Sequence, residues 1–134
     1  MLYVIDSSAM IALLRREPGH TVVRDIIENT NNTCFAHAIN LCEVFYDFAR
    51  ASDEAEAEQA VIDLFKIGII ERNDLDAAFW RDAGRLKAHH RRVSLADCCA
   101  IVLSLRINCT LVTSDHHELD PLAAAGVCPI LFFR

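Results

Sequence analysis

The chain has 134 residues, 13 Lys+Arg against 19 Asp+Glu, a net charge of −6 and 53% hydrophobic residues. That length suits one domain over residues 1–134, and the apolar content, with four Gly and three Pro, excludes a disordered or linker-like chain. The acidic balance excludes indiscriminate coating of nucleic acid, but not a nucleic-acid enzyme whose pocket is itself acidic.

Apolar periodicity and breakers predict alternating strands and helices. Leu2-Tyr3-Val4-Ile5 reads as a short buried strand ending at Asp6. Ser7 or Ser8 is placed to cap a helix with Met10, Leu13 and Leu14 on one side. Pro18-Gly19 breaks it, and Val22, Val23, Ile26 and Ile27 mark a second helix. After a turn at Asn29–Asn32, Thr33–Ala36 reads as a strand. Residues 39–50 predict a helix with Leu41, Val44, Phe45 and Phe48 on one stripe, and Asp53–Phe65 another with an acidic start. Gly68 precedes a third strand, Ile69–Glu71, and Asp74–His90 predicts a long helix with a basic second half.

Ser94 opens a helix to Leu105 that is apolar almost all round, hence central. Cys109–Thr113 predicts a fourth strand, His116–Leu119 a helical turn, and Val127–Phe133 a last strand. Strands separated by helices imply parallel pairing with right-handed crossovers. The expected fold is therefore α/β, a three-layer α/β/α sandwich around a central, mainly parallel sheet of four to five strands.

No apolar stretch approaches the roughly 20 residues needed to span a bilayer. The opening MLYVIDSSAM lacks the basic start and long apolar middle of a secretion signal, so a cytoplasmic location is expected. The cysteines, Cys34, Cys42, Cys98, Cys99, Cys109 and Cys128, each lie in or beside apolar runs without CxxC spacing. They read as small buried hydrophobes rather than zinc ligands or disulfides.

Ligands of open parallel sheets bind beyond the carboxyl ends of the strands. Asp6 and Asp115 lie at such ends, while Glu43 and Asp97 fall in the first turns of helices that follow loops. If the first and fourth strands are central, the four acids converge. At an effective dielectric of about 20 and separations of about 5 Å, each pair repels by roughly 3 kcal/mol. Six pairs approach about 20 kcal/mol, the upper end of the roughly 7–20 kcal/mol stability expected at this size. Either some acids stay protonated or a divalent cation sits among them, and all-oxygen ligands favour Mg²⁺ or Mn²⁺ over zinc.

Each acid has a plainer reading. Asp6 is free to cap the first helix, although Ser7 and Ser8 stand ready there. Asp97 completes an S-x-x-D capping box with Ser94. On a helical wheel Glu43 shares a face with Asn40 and Asp47, which reads as solvated. Asp115 fits an ordinary turn. Glu118 and Asp120 read as surface acids, with Glu118 in reach of the same pocket, and the pairs His89-His90 and His116-His117 as surface histidines.

The ordered set Val4-Ile5-Asp6-Ser7-Ser8-Ala9, Ile39-Asn40-Leu41-Cys42-Glu43, Ser94-Leu95-Ala96-Asp97-Cys98-Cys99-Ala100 and Leu111-Val112-Thr113-Ser114-Asp115 resembles the PIN domain family. The resemblance runs from Tyr3 to Phe132 and is strongest to the small bacterial VapC-type toxin ribonucleases. Asn40 departs from it, standing where many relatives carry Thr or Ser. So does His117, which stands where some carry another acid; Glu118 is near enough to substitute.

The resemblance implies a metal-dependent endoribonuclease, a hydrolase of RNA phosphodiester bonds. Asp6, Glu43, Asp97 and Asp115 would be catalytic. Asp6, Asp97 and Asp115 would hold Mg²⁺ or Mn²⁺, with Glu43 holding or activating a water. Ser7 or Ser8 would orient a ligand or contact the scissile phosphate. Arg91 and Arg92 end a basic stretch that begins at Arg81 and directly precedes the Asp97 helix, suiting RNA steering or, more plainly, a solvated helix end. The implied partners are an RNA substrate, a second copy of the chain and, for a toxin, an antitoxin protein. The competing reading is an inactive PIN-like module that binds RNA or protein.

Overall fold

The computed structural model describes residues 1–134. Five strands form one sheet: β1 (Leu2–Ile5), β2 (Thr33–His37), β3 (Ile69–Arg72), β4 (Thr110–Thr113) and β5 (Ile130–Phe132). Their order is β3-β2-β1-β4-β5, and every neighbouring pair is parallel. β1 is thus central, with Ile5 in register with Val112 of β4. The expected three-layer α/β/α sandwich is the observed architecture.

Seven helices complete the chain: α1 (Ser7–Arg15), α2 (His20–Glu28), α3 (Ala38–Ala51), α4 (Glu54–Ile67), α5 (Ala77–His89), α6 (Leu95–Arg106) and α7 (His116–Ala124). Alternating strand side chains feed two cores, one on each face of the sheet. Tyr3, Ile5, Cys34, Ala36 and Val112 pack with α1–α4 through Met10, Val23, Leu41, Val44 and Leu64. Val4 and Leu111 face the other way, against Phe79 of α5, Leu119 and Leu122 of α7, and α6. α6 is buried without interruption from Ala96 to Ser104, as its all-round apolar sequence requires. Burying Ile101 or Leu103, both fully covered, contributes about 1.5–3 kcal/mol each.

Several boundaries move for physical reasons. α1 is capped by Asp6, not by Ser7 or Ser8: the Asp6 carboxylate accepts from Ala9 N, and both serines lie inside the first turn. α5 begins at Ala77 rather than Asp74, because Asp74 and Asp76 are held outside the helix by Arg72 and Arg106. The short turn expected at His116–Leu119 continues to Ala124 despite Pro121. Cys42 is exposed, unlike the other five cysteines, since it lies on the outer side of α3.

Gly19 is needed where it stands. Its φ of +84° favours glycine, and a Cβ there would lie 2.6 Å from the carbonyl oxygen of Phe133. No helix is long and apolar enough to cross a membrane.

Candidate active site

The carboxyl ends of β1 and β4 bring Asp6 and Thr113 side by side. Asp6 is buried, and both its oxygens are engaged. Oδ1 accepts from Ala9 N at 2.9 Å and from the Ser8 hydroxyl at 2.7 Å, while Oδ2 accepts from the Thr113 hydroxyl. Thr113 Oγ1 in turn accepts from Asp115 N at 3.0 Å, and Ser8 Oγ from Ser114 N at 3.1 Å. The loop after β4 is thereby tied to the acid at the end of β1. Burial drives the Asp6 carboxyl up to about 6, against the lowering effect of its three hydrogen bonds and with added repulsion from Asp115.

Three more acids close the pocket. Ligand oxygens of Asp97, Asp115 and Glu118 all lie within 4.8 Å of one another. Asp97 stands in the first turn of α6, its amide bonded to the Ser94 hydroxyl at 3.1 Å. That is half of the predicted capping box; the other half differs, because the Ser94 amide donates to Glu118 Oε2 at 3.1 Å. Asp115 caps α7, accepting from Glu118 N at 3.3 Å. Burial pushes the Asp97 carboxyl up to about 10, helped by hydrogen bonding with Glu118 and by the nearby charges of Asp6 and Asp115. Burial acts on Glu118 in the same sense, but the hydrogen bonds it accepts from Asp97 and the Ser94 amide outweigh it and leave Glu118 below its ordinary value. At neutral pH the bare cluster therefore holds a proton between Asp97 and Glu118.

Glu43 lies in the second turn of α3, which follows β2 without a loop. Its face of the helix meets the start of α1 instead of solvent: Glu43 Oε1 accepts from the Ser7 hydroxyl at 2.7 Å. Burial raises its carboxyl, with the Ser7 hydrogen bond opposing and repulsion from Glu118 and Asp115 adding. Both serine hydroxyls are thus turned towards acids. Asn40, one turn earlier on the same face, is fully buried and bridges Ser7 N and Ala96 O.

The structure places Asp6, Glu43, Asp97 and Asp115 around one end of the sheet, and adds Glu118 as a full member of the inner group. Asn40 and Thr113 take roles that the sequence does not assign them, although both lie in the motifs that carry the family resemblance. Arg91 and Arg92 are exposed in the turn between α5 and α6, and neither forms an ion pair. The Lys87 ammonium holds that turn by donating to the carbonyls of Arg91 and Val93 at 2.8 and 2.7 Å. A cleft of about 490 Å³ lies away from the acids, between α5 and α6, lined by residues including Arg85, His89 and Leu105.

The PIN domain family model matches residues 3–123. The chain belongs to the PIN domain family. Solved structures of similar shape include several from VapBC toxin–antitoxin systems. VapBC2 of Rickettsia felis, bound to a promoter DNA fragment, is similar with a TM-score of 0.73 at 15% identity, covering 98% of each chain. The DNA-bound VapBC of Salmonella typhimurium gives 0.73 at 14% identity over 100% of both chains. VapC20 of Mycobacterium tuberculosis, a toxin that cleaves the sarcin-ricin loop, gives 0.72 at 14% identity over 92% of this chain and 95% of its own. No curated protein matches this PIN domain in sequence. At such identities the structural likeness carries the PIN fold alone; the family itself rests on the model match.

Proposed function

We propose that this PIN domain is a Mg²⁺- or Mn²⁺-dependent endoribonuclease and the toxin of a toxin–antitoxin pair. The observation that carries the reading is the inner group of Asp97, Asp115 and Glu118, whose oxygens converge within 4.8 Å beside buried Asp6. Such a group fits a hard divalent cation by its chemistry: it is all oxygen, and without compensation it must trap a proton on Asp97.

Asp97, Asp115 and Glu118 would hold the ion. Asp6, the second acid in the depth of the pocket, would add its charge from below and fix the β4 loop through Thr113 and Ser8. Asp6 keeps its expected place among the ligands, since its three hydrogen bonds leave an acceptor site free on Oδ2 to reach the ion directly or through a water. When bound, the cation supplies polarisation of a phosphoryl oxygen and a lower pKa for an attacking water. Glu43, held by Ser7 and raised by burial, would accept that water's proton from the rim of the pocket. Ser7 would orient Glu43, and Ser8 would brace Asp6. Arg91 and Arg92, next to the Asp97 helix, would draw the RNA backbone towards a pocket that otherwise repels it.

The toxin assignment is supported by the VapBC complexes among the structures of like fold. Exposed apolar side chains are also present for a second copy or an antitoxin to cover, Phe65 and Ile67 on α4 and Trp80 on α5 among them. The test is cleavage of single-stranded RNA with Mn²⁺, with EDTA, and by Asp97→Asn. The reading expects cleavage only by the wild type with metal. Equal cleavage by the variant, or none by the wild type with Mn²⁺, contradicts it and favours an inactive binding module.

A further inference from the structure

Three chain segments that carry site residues meet at one buried amide. Asn40 Oδ1 accepts from Ser7 N at 3.2 Å, and Asn40 Nδ2 donates to Ala96 O at 3.3 Å. The orientation of the amide follows from its partners: a backbone N–H only donates and a carbonyl only accepts, so the oxygen must face Ser7 and the nitrogen Ala96. Ser7 follows Asp6 and bonds to Glu43; Ala96 precedes Asp97; and Glu43 itself lies three residues beyond Asn40 on the same helix. We propose that Asn40 is a positioning residue, setting the separation between the Ser7–Glu43 pair and Asp97 so that the acids meet a divalent cation together. The proposal rests on the nuclease reading above.

The chemistry of the site asks for such a clamp. Asp6, Glu43, Asp97, Asp115 and Glu118 repel one another, and repulsion drives apart the helices that bear them. β1 and β4 restrain Asp6 and the loop of Asp115 through sheet hydrogen bonds, and Ser94 ties Glu118 to α6. The start of α3 is tied to the sheet through β2, which runs directly into it, but no sheet bond joins it to α6. Between its Glu43 face and the start of α6, the cross-segment bond at Ala96 O is made by Asn40. A single amide supplies both an acceptor and a donor, from a side chain with no exposed surface. An alanine there satisfies neither partner, and a leucine fills the same volume without a hydrogen bond to either.

The test is Mn²⁺ affinity by calorimetric titration, with RNA cleavage kinetics, on Asn40→Ala and Asn40→Leu. Ile101→Val loosens the same buried α6 without touching the pocket and separates loss of stability from loss of position. Both Asn40 variants are expected to unfold cooperatively yet to lose Mn²⁺ affinity and kcat by about tenfold or more, with KM within about twofold of wild type. Ile101→Val is expected to keep wild-type affinity and kcat. Asn40 variants that match wild type in both overturn this proposal alone, as does an equal loss in Ile101→Val. Failure of both Asn40 variants to fold makes Asn40 a folding residue and overturns it too. A wild type that takes up no Mn²⁺ overturns the nuclease reading together with this one.

Discussion

The Ser7 hydroxyl donates to Glu43 Oε1 at 2.7 Å, joining the first turn of α1 to the second turn of α3 across 36 residues of sequence. This bond turns a glutamate from a face that reads as solvated into a member of the pocket. Removing the hydroxyl leaves Glu43 with its Tyr46 hydrogen bond but without its tie to α1, while the fold keeps every buried apolar contact. Ser7→Ala is expected to lower kcat for RNA cleavage by about tenfold to a hundredfold, with little change in KM. Steady-state kinetics beside a thermal unfolding scan checks both parts.

Crowded acids also set the pH dependence of the metal-free protein. Asp6 has a folded value of about 6 and Asp97 of about 10, both above the ordinary value near 4. Folding therefore binds protons, and the stability these groups contribute is complete below about pH 4. It is lost as pH rises through 6 for Asp6 and further up for Asp97, offset in part by Glu118, whose lowered carboxyl contributes in the opposite sense. In EDTA, Tm is expected to fall by about 5 °C or more between roughly pH 5 and pH 8. Saturating Mn²⁺ at the upper pH should restore it, by about 2.7 kcal/mol at a hundredfold excess over Kd.

The opposite sign is expected at the far edge of the sheet. Asp74 accepts from Arg72 Nε at 2.9 Å and from Arg106 Nη1 at 3.0 Å, and these guanidiniums bring its carboxyl down to about 2. Its contribution is present above the ordinary carboxylate value and disappears as pH falls through about 2. Both arginines are about one-third exposed, so solvent screens the pair. Asp74→Asn should cost about 1 kcal/mol in denaturant unfolding at neutral pH, and less in strong acid. Mn²⁺ affinity should not change.

Arg91 and Arg92 give a prediction in salt. Exposed and unpaired in the turn before α6, they are free to displace counterions from a phosphate backbone. The double change to alanine should weaken RNA binding and reduce the slope of log affinity against log salt by about 1–2. Fluorescence anisotropy at several salt concentrations measures this, and an unchanged slope assigns the pair to solubility.

Much of this architecture is legible in local sequence, because burial leaves a local trace. The uninterrupted apolar run of α6 marks the central helix, and an acid directly after Leu2–Ile5 marks the carboxyl end of the central strand. What is illegible depends on partners far along the chain. Glu43 and Asn40 look solvated on a wheel because the wheel does not show α1 packed on that face. Glu118 looks like a surface acid because its anchor, the Ser94 amide, lies 24 residues away. Asp6 takes the cap from Ser7 and Ser8 because its carboxylate is held between Ala9 N and Thr113, and the second of these comes from β4.

If the carboxylates of α6 and α7 share a divalent cation, calorimetric titration of Mn²⁺ into the metal-free protein near neutral pH registers it without any substrate. Wild type is expected to bind with release of the proton held on Asp97, seen as a heat that varies with buffer ionisation, and Glu118→Gln to bind about tenfold more weakly. A wild type that gives no binding heat in any buffer, or a Glu118→Gln protein that binds as tightly as wild type, contradicts the account.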